Sequence, residues 1–343
     1  MMHNDHGDDR YLYPGVEVKA DFSSNVPHLP DDDGLWAYLS AHRELIHRYP
    51  EPRAYTLESE LAEMYGVDPA SLLITAGATE AIHLIAWHFA SAHSVIPQPT
   101  FSEYRHGAEA HRHTITEIEI ESFIQHPDII RPDTLVWLCN PNNPTGQTYD
   151  HDLLLRLIRS HPDTLFIIDQ SYHAFTPKQV LSPDEIVTLP NCIVIQSLTK
   201  TYAIPGLRLG YIIASPDYIE SLARLKMPWS VNALALQAGH YLLQREVPFD
   251  LSTLLAERQR LVRELKQLEM MEIYPTDTHY FTARLYDYPS HFVKDNLMKR
   301  YGILIRNASN FPRLTERHIR IATQSRQEND QLIRALSDLP QRL

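Results

Sequence analysis

The chain has little cysteine, little lysine and no long apolar run. Its 343 residues include two cysteines, Cys139 and Cys192, and both sit inside apolar strings, LVWLCN and CIVIQ. Burial as small hydrophobes accounts for them better than a disulfide or a metal pair, and a reducing cytoplasm is the expected compartment. No stretch approaches the roughly 18 uninterrupted apolar residues that a membrane span requires. The opening MMHNDHGDDR is acidic and polar rather than basic and then apolar, so neither secretion nor membrane insertion is expected. Positive charge is scarce as well: 31 Lys+Arg against 43 Asp+Glu leave a formal net charge of −12. That balance repels a nucleic-acid backbone, and any phosphate the protein binds must be held locally. HExxH and Cys-rich spacings are also missing, so no metal site is expected. The 19 histidines, among them His111 and His113 in a polar segment, read as surface side chains.

What is present is the composition of a globular protein, 43% hydrophobic and 22% charged, at a length that favours two domains. From about Tyr55 to Ser215, short β-branched runs alternate with helical patterns. The strand candidates are LLIT (72–75), SVIP (94–97), TITEIEI (114–120), TLVWLC (134–139), TLFIID (164–169), CIVIQS (192–197) and GYIIAS (210–215). Alternation of this kind predicts an α/β fold, with a largely parallel sheet covered by helices on both faces. Beyond Pro216 the rhythm changes to helices near 217–226, 231–245 and 250–268. HYFTARLY, a helix near 290–300, ILIR, HIRIA and a last helix follow, and they describe a smaller α+β unit. The resulting division is an arm and part of the small unit in 1–50, a large domain in 51–245 and a small C-terminal domain in 246–343. A helix around LWAYLSAHRELI lies in the arm, and the acid run Asp31, Asp32, Asp33 reads as a solvated turn before it.

Only seven lysines occur in the chain, and Lys200 stands out among them. It follows the apolar strand CIVIQS in QSLTKTYAIPGLRLGY, at the end of a strand where open α/β sheets place their ligands. Ser197, Thr199, Gly206 and Arg208 flank it, a small-polar and cationic set suited to an anion beside the amine. TLVWLC runs into Asn140-Pro141-Asn142-Asn143-Pro144-Thr145-Gly146, a turn that leaves an Asn side chain free to donate. TLFIID ends at Asp169, with Tyr172 three residues on. LLIT runs into Ala76-Gly77-Ala78-Thr79-Glu80 and a helix, which aims backbone N–H groups at a phosphate. Four strand ends therefore supply one need: pyridoxal phosphate requires a lysine for its aldehyde, a carboxylate for its ring nitrogen, and donors for its phosphate and phenolic oxygen.

In these motifs and their order the chain resembles the fold type I pyridoxal-phosphate enzymes of the class I/II aminotransferase superfamily. The resemblance implies a seven-stranded, mostly parallel sheet in the large domain and pyridoxal 5′-phosphate as cofactor. It also implies that Lys200 carries the cofactor, that Asp169 faces the ring nitrogen, and that Asn143 and Tyr172 donate to the phenolic oxygen. Gly77, Ala78, Ser197 and Arg208 would hold the phosphate, and Phe101 would stack on the ring, although core packing explains a phenylalanine there equally well. Tyr49 in HRYP would reach the cofactor phosphate of a neighbouring subunit in a homodimer with shared sites, or else is an aromatic at a helix end. Intact Lys200, Asp169, Asn143 and Arg208 favour an enzyme over a binding protein on the same scaffold.

Two branches of the superfamily compete, both acting on phosphorylated amino substrates. SLTKTYAIPGLRLGY, MPWSVNALA (227–235), GILIRNASNFPRL (302–314), His6-Gly7 and Asp21-Phe22-Ser23-Ser24-Asn25 resemble the L-threonine-O-3-phosphate decarboxylases, which make the aminopropanol phosphate linker of cobalamin. Histidinol-phosphate aminotransferases share the core and HRYP but differ around Trp229 and Phe311. The decarboxylase pattern has a second glycine where this chain has Asp8, whose carboxylate would oppose a substrate phosphate. Substrate contacts implied by the resemblance are Arg320 to the α-carboxylate, Arg306 to the phosphate, and Asn25 and His6. For Arg306 a salt bridge to a nearby acid is the competing account.

Overall fold

The structure, a computed structural model, describes residues 6–28, 33–125 and 130–339. Thirteen strands are found among them: β1 (Ala20–Asp21), β2 (Leu72–Thr75), β3 (His93–Gln98), β4 (Thr114–Glu119), β5 (Thr134–Cys139), β6 (Leu165–Asp169), β7 (Cys192–Ser197), β8 (Gly210–Ala214), β9 (Met271–Ile273), β10 (Tyr280–Leu285), β11 (Ile303–Leu304), β12 (Arg306–Asn307) and β13 (His318–Ala322). Seven form the large sheet, in the order β2-β8-β7-β6-β5-β3-β4. β8 alone runs against its neighbours, antiparallel to both β7 and β2. Helices on both faces bury β5, β6 and β7 completely, so these strands read as unbroken apolar runs rather than as alternation.

All seven strand expectations for this sheet are met to within a residue or so. The exception in detail is TITEIEI, where Ile120 leaves the strand to begin a helix, Ile120–Gln125. The helix Tyr55–Tyr65 stops at Gly66, and Cys139 and Cys192 are buried free thiols, both as expected. His279 and His318 are buried, against the reading of the histidines as surface side chains, and His113 departs from it too. It is buried, and its ring bridges Ser94 Oγ and the Ala86 carbonyl at 2.8 Å each. Nε2 must carry the proton to donate to a carbonyl, so Nδ1 accepts from Ser94, and burial pushes this histidine toward the neutral form.

The small unit is a four-stranded antiparallel sheet, β12-β13-β10-β9, with its own core around Phe281, Leu297, Ile305 and Ile321. ILIR does not form one strand. β11 pairs in parallel with β1 of the N-terminal segment, whereas β12 pairs with β13, so the chain changes partner at buried Ile305. Phe22 next to β1 is fully buried in the small unit's core. The helix Asp33–Ala41 instead packs on the helix Ala233–Leu243 of the large unit. Asp33 opens that helix, while Asp31 and Asp32 of the acid run lie outside the described residues. No described helix is long and apolar enough to cross a membrane.

Candidate active site

A cavity of about 360 Å³ opens where the C-terminal ends of β5, β6 and β7 meet the small unit and the N-terminal segment. Its lining brings together His6, Ala78, Phe101, Asn143, Asp169, Tyr172, Ser197, Lys200, Arg208, Arg306 and Arg320, eleven of the fourteen residues singled out from sequence. Gly77 sits directly behind the lining. Asn25 is fully buried, with its side chain against Tyr172. Tyr49 is not in the cavity: it is exposed on the surface, 5.3 Å from the ring of Trp229.

Lys200 lies in the short helix Leu198–Thr201 that caps β7, and its Nζ donates to the Ser24 carbonyl at 2.8 Å. Burial, reinforced by the charges of Arg320 and Arg208, pushes this amine down to about 8. Asp169 ends β6. One carboxylate oxygen accepts from the Ser171 N–H and the other from the Tyr104 hydroxyl, each at 2.8 Å. Burial raises the Asp169 carboxyl, against the pull of these donors and of Lys200. A cationic partner on that carboxylate therefore stabilises it where water cannot.

The helix Ala78–His88 begins at Gly77, whose φ of 85° is in the left-handed region. A Cβ there would stand 2.6 Å from Arg208 Nη2, so glycine is what lets the guanidinium lie against the helix start. Helix N–H groups, the Ser197 hydroxyl and Arg208 converge at this corner, a set suited to phosphate.

Across the cavity, Arg306 and Arg320 are directly opposed in the register of β12 and β13. Side chains at opposed positions share a face, and like charges there repel. Arg320 is buried; it donates to the Asn143 Oδ1 and the Ser23 carbonyl, and its Nε has no partner. Among the described residues no carboxylate forms an ion pair with it. Arg306 donates to Asn310 at 2.8 Å and lies over Phe311. Asp8 also lines the cavity, and its carboxylate is paired with Arg10.

Several lining residues carried no signal in the sequence. Tyr104 is 65 residues from its partner Asp169, and Glu103 beside it accepts from three histidines. Both lie on the helix Glu103–Ala110, whose string EYRHGAEA lacks an apolar period. The PTF string ahead of it was the available pointer.

A half-buried amine of depressed basicity, a buried carboxylate awaiting a cation and a phosphate-shaped corner define an enzyme site for a phosphorylated, aldehyde-bearing ring cofactor. The chain belongs to the class I and II aminotransferase family, whose sequence profile matches residues 19–336, and the cofactor of this family is pyridoxal 5′-phosphate. It is similar to the threonine-phosphate decarboxylase of Salmonella typhimurium, 32% identical over 93% of this chain and 90% of that protein. It is also similar to the histidinol-phosphate aminotransferase of Thermoanaerobacter sp., 31% identical over 86% of this chain and 85% of the relative. Among solved structures, the L-threonine-O-3-phosphate decarboxylase of Porphyromonas gingivalis superposes with a TM-score of 0.88 at 35% identity, covering 92% of this chain and 97% of that one.

The site residues fit the cofactor on their own chemistry. The Gly77 and Arg208 corner suits its phosphate, the Asp169 carboxylate suits a protonated ring nitrogen, and the Lys200 amine suits its aldehyde.

Proposed function

We propose that the chain is a pyridoxal-phosphate-dependent decarboxylase that converts L-threonine O-3-phosphate to (R)-1-aminopropan-2-yl phosphate and carbon dioxide, a step of cobalamin biosynthesis. The observation that carries this reading is the opposed pair Arg306 and Arg320 on one wall of the cavity. Two like charges held face to face suit a substrate with two anionic groups, and threonine phosphate brings a carboxylate and a phosphate. The greater likeness in fold and sequence to the Porphyromonas decarboxylase than to the aminotransferase of Clostridium acetobutylicum, at 23% identity and a TM-score of 0.81, supports the same choice. The similarity to the Thermoanaerobacter aminotransferase keeps transamination of histidinol phosphate as the second reading.

In this reading Lys200 holds the cofactor, Asp169 keeps its ring nitrogen protonated, Asn143 and Tyr172 donate to the phenolic oxygen, and Gly77, Ala78, Ser197 and Arg208 hold its phosphate. When bound, the cofactor supplies the electron sink for the bond that breaks. Phe101 covers one face of the site and limits water. Arg320 takes the substrate carboxylate, while Arg306, Asn25 and His6 take the phosphate end. Orientation would then select the reaction, because these contacts decide which substituent of Cα is aligned to leave. Lys200 in its protonated form would supply the proton that the carbon takes up in place of the carboxylate. Tyr49 would complete the phosphate contacts of a second subunit in a homodimer. The test offers threonine phosphate alone and, separately, histidinol phosphate with 2-oxoglutarate. Consumption of the first with carbon dioxide release supports the proposal; glutamate from the second, without reaction of the first, overturns it.

A further inference from the structure

The segment His6–Tyr13 crosses the cavity mouth as a strap tied to the small unit. Its Asp8 N–H donates to Ser23 Oγ at 2.8 Å. Its Asp9 pairs with Lys294, both buried, and its Tyr13 hydroxyl donates to Asp295 at 2.7 Å. Lys294 and Asp295 both belong to the small-unit helix Ser290–Tyr301. The tip of the strap reaches the other way. His6 Nε2 stands 3.1 Å from Oε1 of Glu103, at the start of a large-unit helix.

Glu103 is buried and lines the cavity. Its carboxylate meets histidines from three elements: His6 of the strap, His106 Nδ1 one helical turn along at 3.0 Å, and His83 Nε2 of the neighbouring helix at 3.2 Å. Burial pushes the Glu103 carboxyl up, but the N–H donors of His6, His83 and His106 outweigh it and hold the group below the ordinary carboxylate range. The helix start favours the same negative charge. A carboxylate has about four acceptor sites, so the two inner histidines fix the group and leave a sharply directed acceptor for the third. His6 is half exposed, and its ring lies 5.9 Å from that of Phe101.

We infer that Glu103 is a positioning residue that acts through His6, docking the strap's tip on the large unit so that His6 is held over the substrate's end of the cavity. This rests on the proposed role of His6 in substrate binding, but the docking itself does not depend on which substrate is used. Glu103 and His6 should therefore behave as one unit in a double-mutant cycle.

The test compares the wild-type holoenzyme with Glu103→Gln, His6→Ala and the double variant, in two measurements. In the first, steady-state kinetics with threonine phosphate should show KM raised about fivefold to tenfold in either single variant, the scale of the net contribution of one ordinary, partly solvated hydrogen bond. kcat should stay within about twofold, and the double variant should be no worse than His6→Ala. In the second, hydrogen exchange of the strap peptide around residues 6–10 should speed up in both single variants, with the helix Glu103–Ala110 staying protected. Additive KM effects, or strap exchange unchanged in Glu103→Gln, would overturn the inference. His6→Ala alters only a half-exposed side chain, so unchanged strap exchange in that variant also overturns it even if Glu103→Gln folds poorly. If threonine phosphate is not turned over at all, the proposed function fails, and the exchange measurement still decides the docking.

Discussion

Lys200 joins its residue-level electrostatics to a measurable rate. An amine with a pKa of about 8 is roughly one-tenth neutral at pH 7, against about one part in 3,000 for an ordinary lysine, and the neutral form is the one that can attack an aldehyde. Uptake of pyridoxal phosphate by the apo-protein should accelerate about tenfold per pH unit up to pH 8 and flatten above it. Since the charge of Arg320 helps to depress the amine, Arg320→Gln should move the break to higher pH; a break that stays in place would contradict that coupling. The sign for stability follows from the same depression. Between pH 8 and about 10.5 the unfolded chain binds more protons at this lysine than the folded one, so its contribution to stability rises with pH across that window. Lys200, Asp169 and Asn143 were legible because each ends an apolar strand in a distinctive string. Tyr104 and Glu103 were not, because their contacts join residues far apart in sequence and their helix has no apolar stripe to announce it.

At the scale of elements, the turn from Asn140 to Gly146 joins the two units. Tyr280 donates to the Asn142 carbonyl at 3.0 Å, Thr282 to that of Pro144 at 2.7 Å, and the Asp277 N–H to that of Gly146 at 2.9 Å. Gly146 has a φ of 73°, and a Cβ on it would meet Thr276 and Thr278 of the small unit. Gly146→Ala should therefore destabilise the protein by about 2–4 kcal/mol, from strain at positive φ together with overpacking. It should also raise KM, because Asn143 and Arg320 face each other across this joint. A melting temperature within a degree of wild type would refute that account. The sequence showed this turn as a motif but not as a joint, since its partners lie more than 130 residues away. The strands of the large sheet were legible because each is a short apolar or β-branched run bounded by turn residues, whereas the reversed direction of β8 left no mark in its string. β1, β9 and the break between β11 and β12 were not, being two- or three-residue pairings fixed by tertiary partners.

For the whole molecule, a single chain leaves Tyr49, Trp229, Met227 and Trp36 exposed on its surface, with Tyr49 outside the cavity of its own chain. A two-fold homodimer that brings Tyr49 to the partner's site accounts for both facts. Mixing Tyr49→Phe with Lys200→Ala subunits should then restore activity to hybrid dimers, each with one competent site, and a monomer by light scattering would end this account. In the proposed function, reaction choice would also depend on both units of the chain, because the arginines come from the small unit and the lysine and carboxylate from the large one. The most direct measurement uses L-threonine O-3-phosphate labelled in its carboxyl carbon, incubated with the holoenzyme and no keto acid. The proposed function predicts labelled carbon dioxide released in step with aminopropanol phosphate over many turnovers. Label retained in the organic phosphate, with a single half-reaction's worth of keto product, would contradict it.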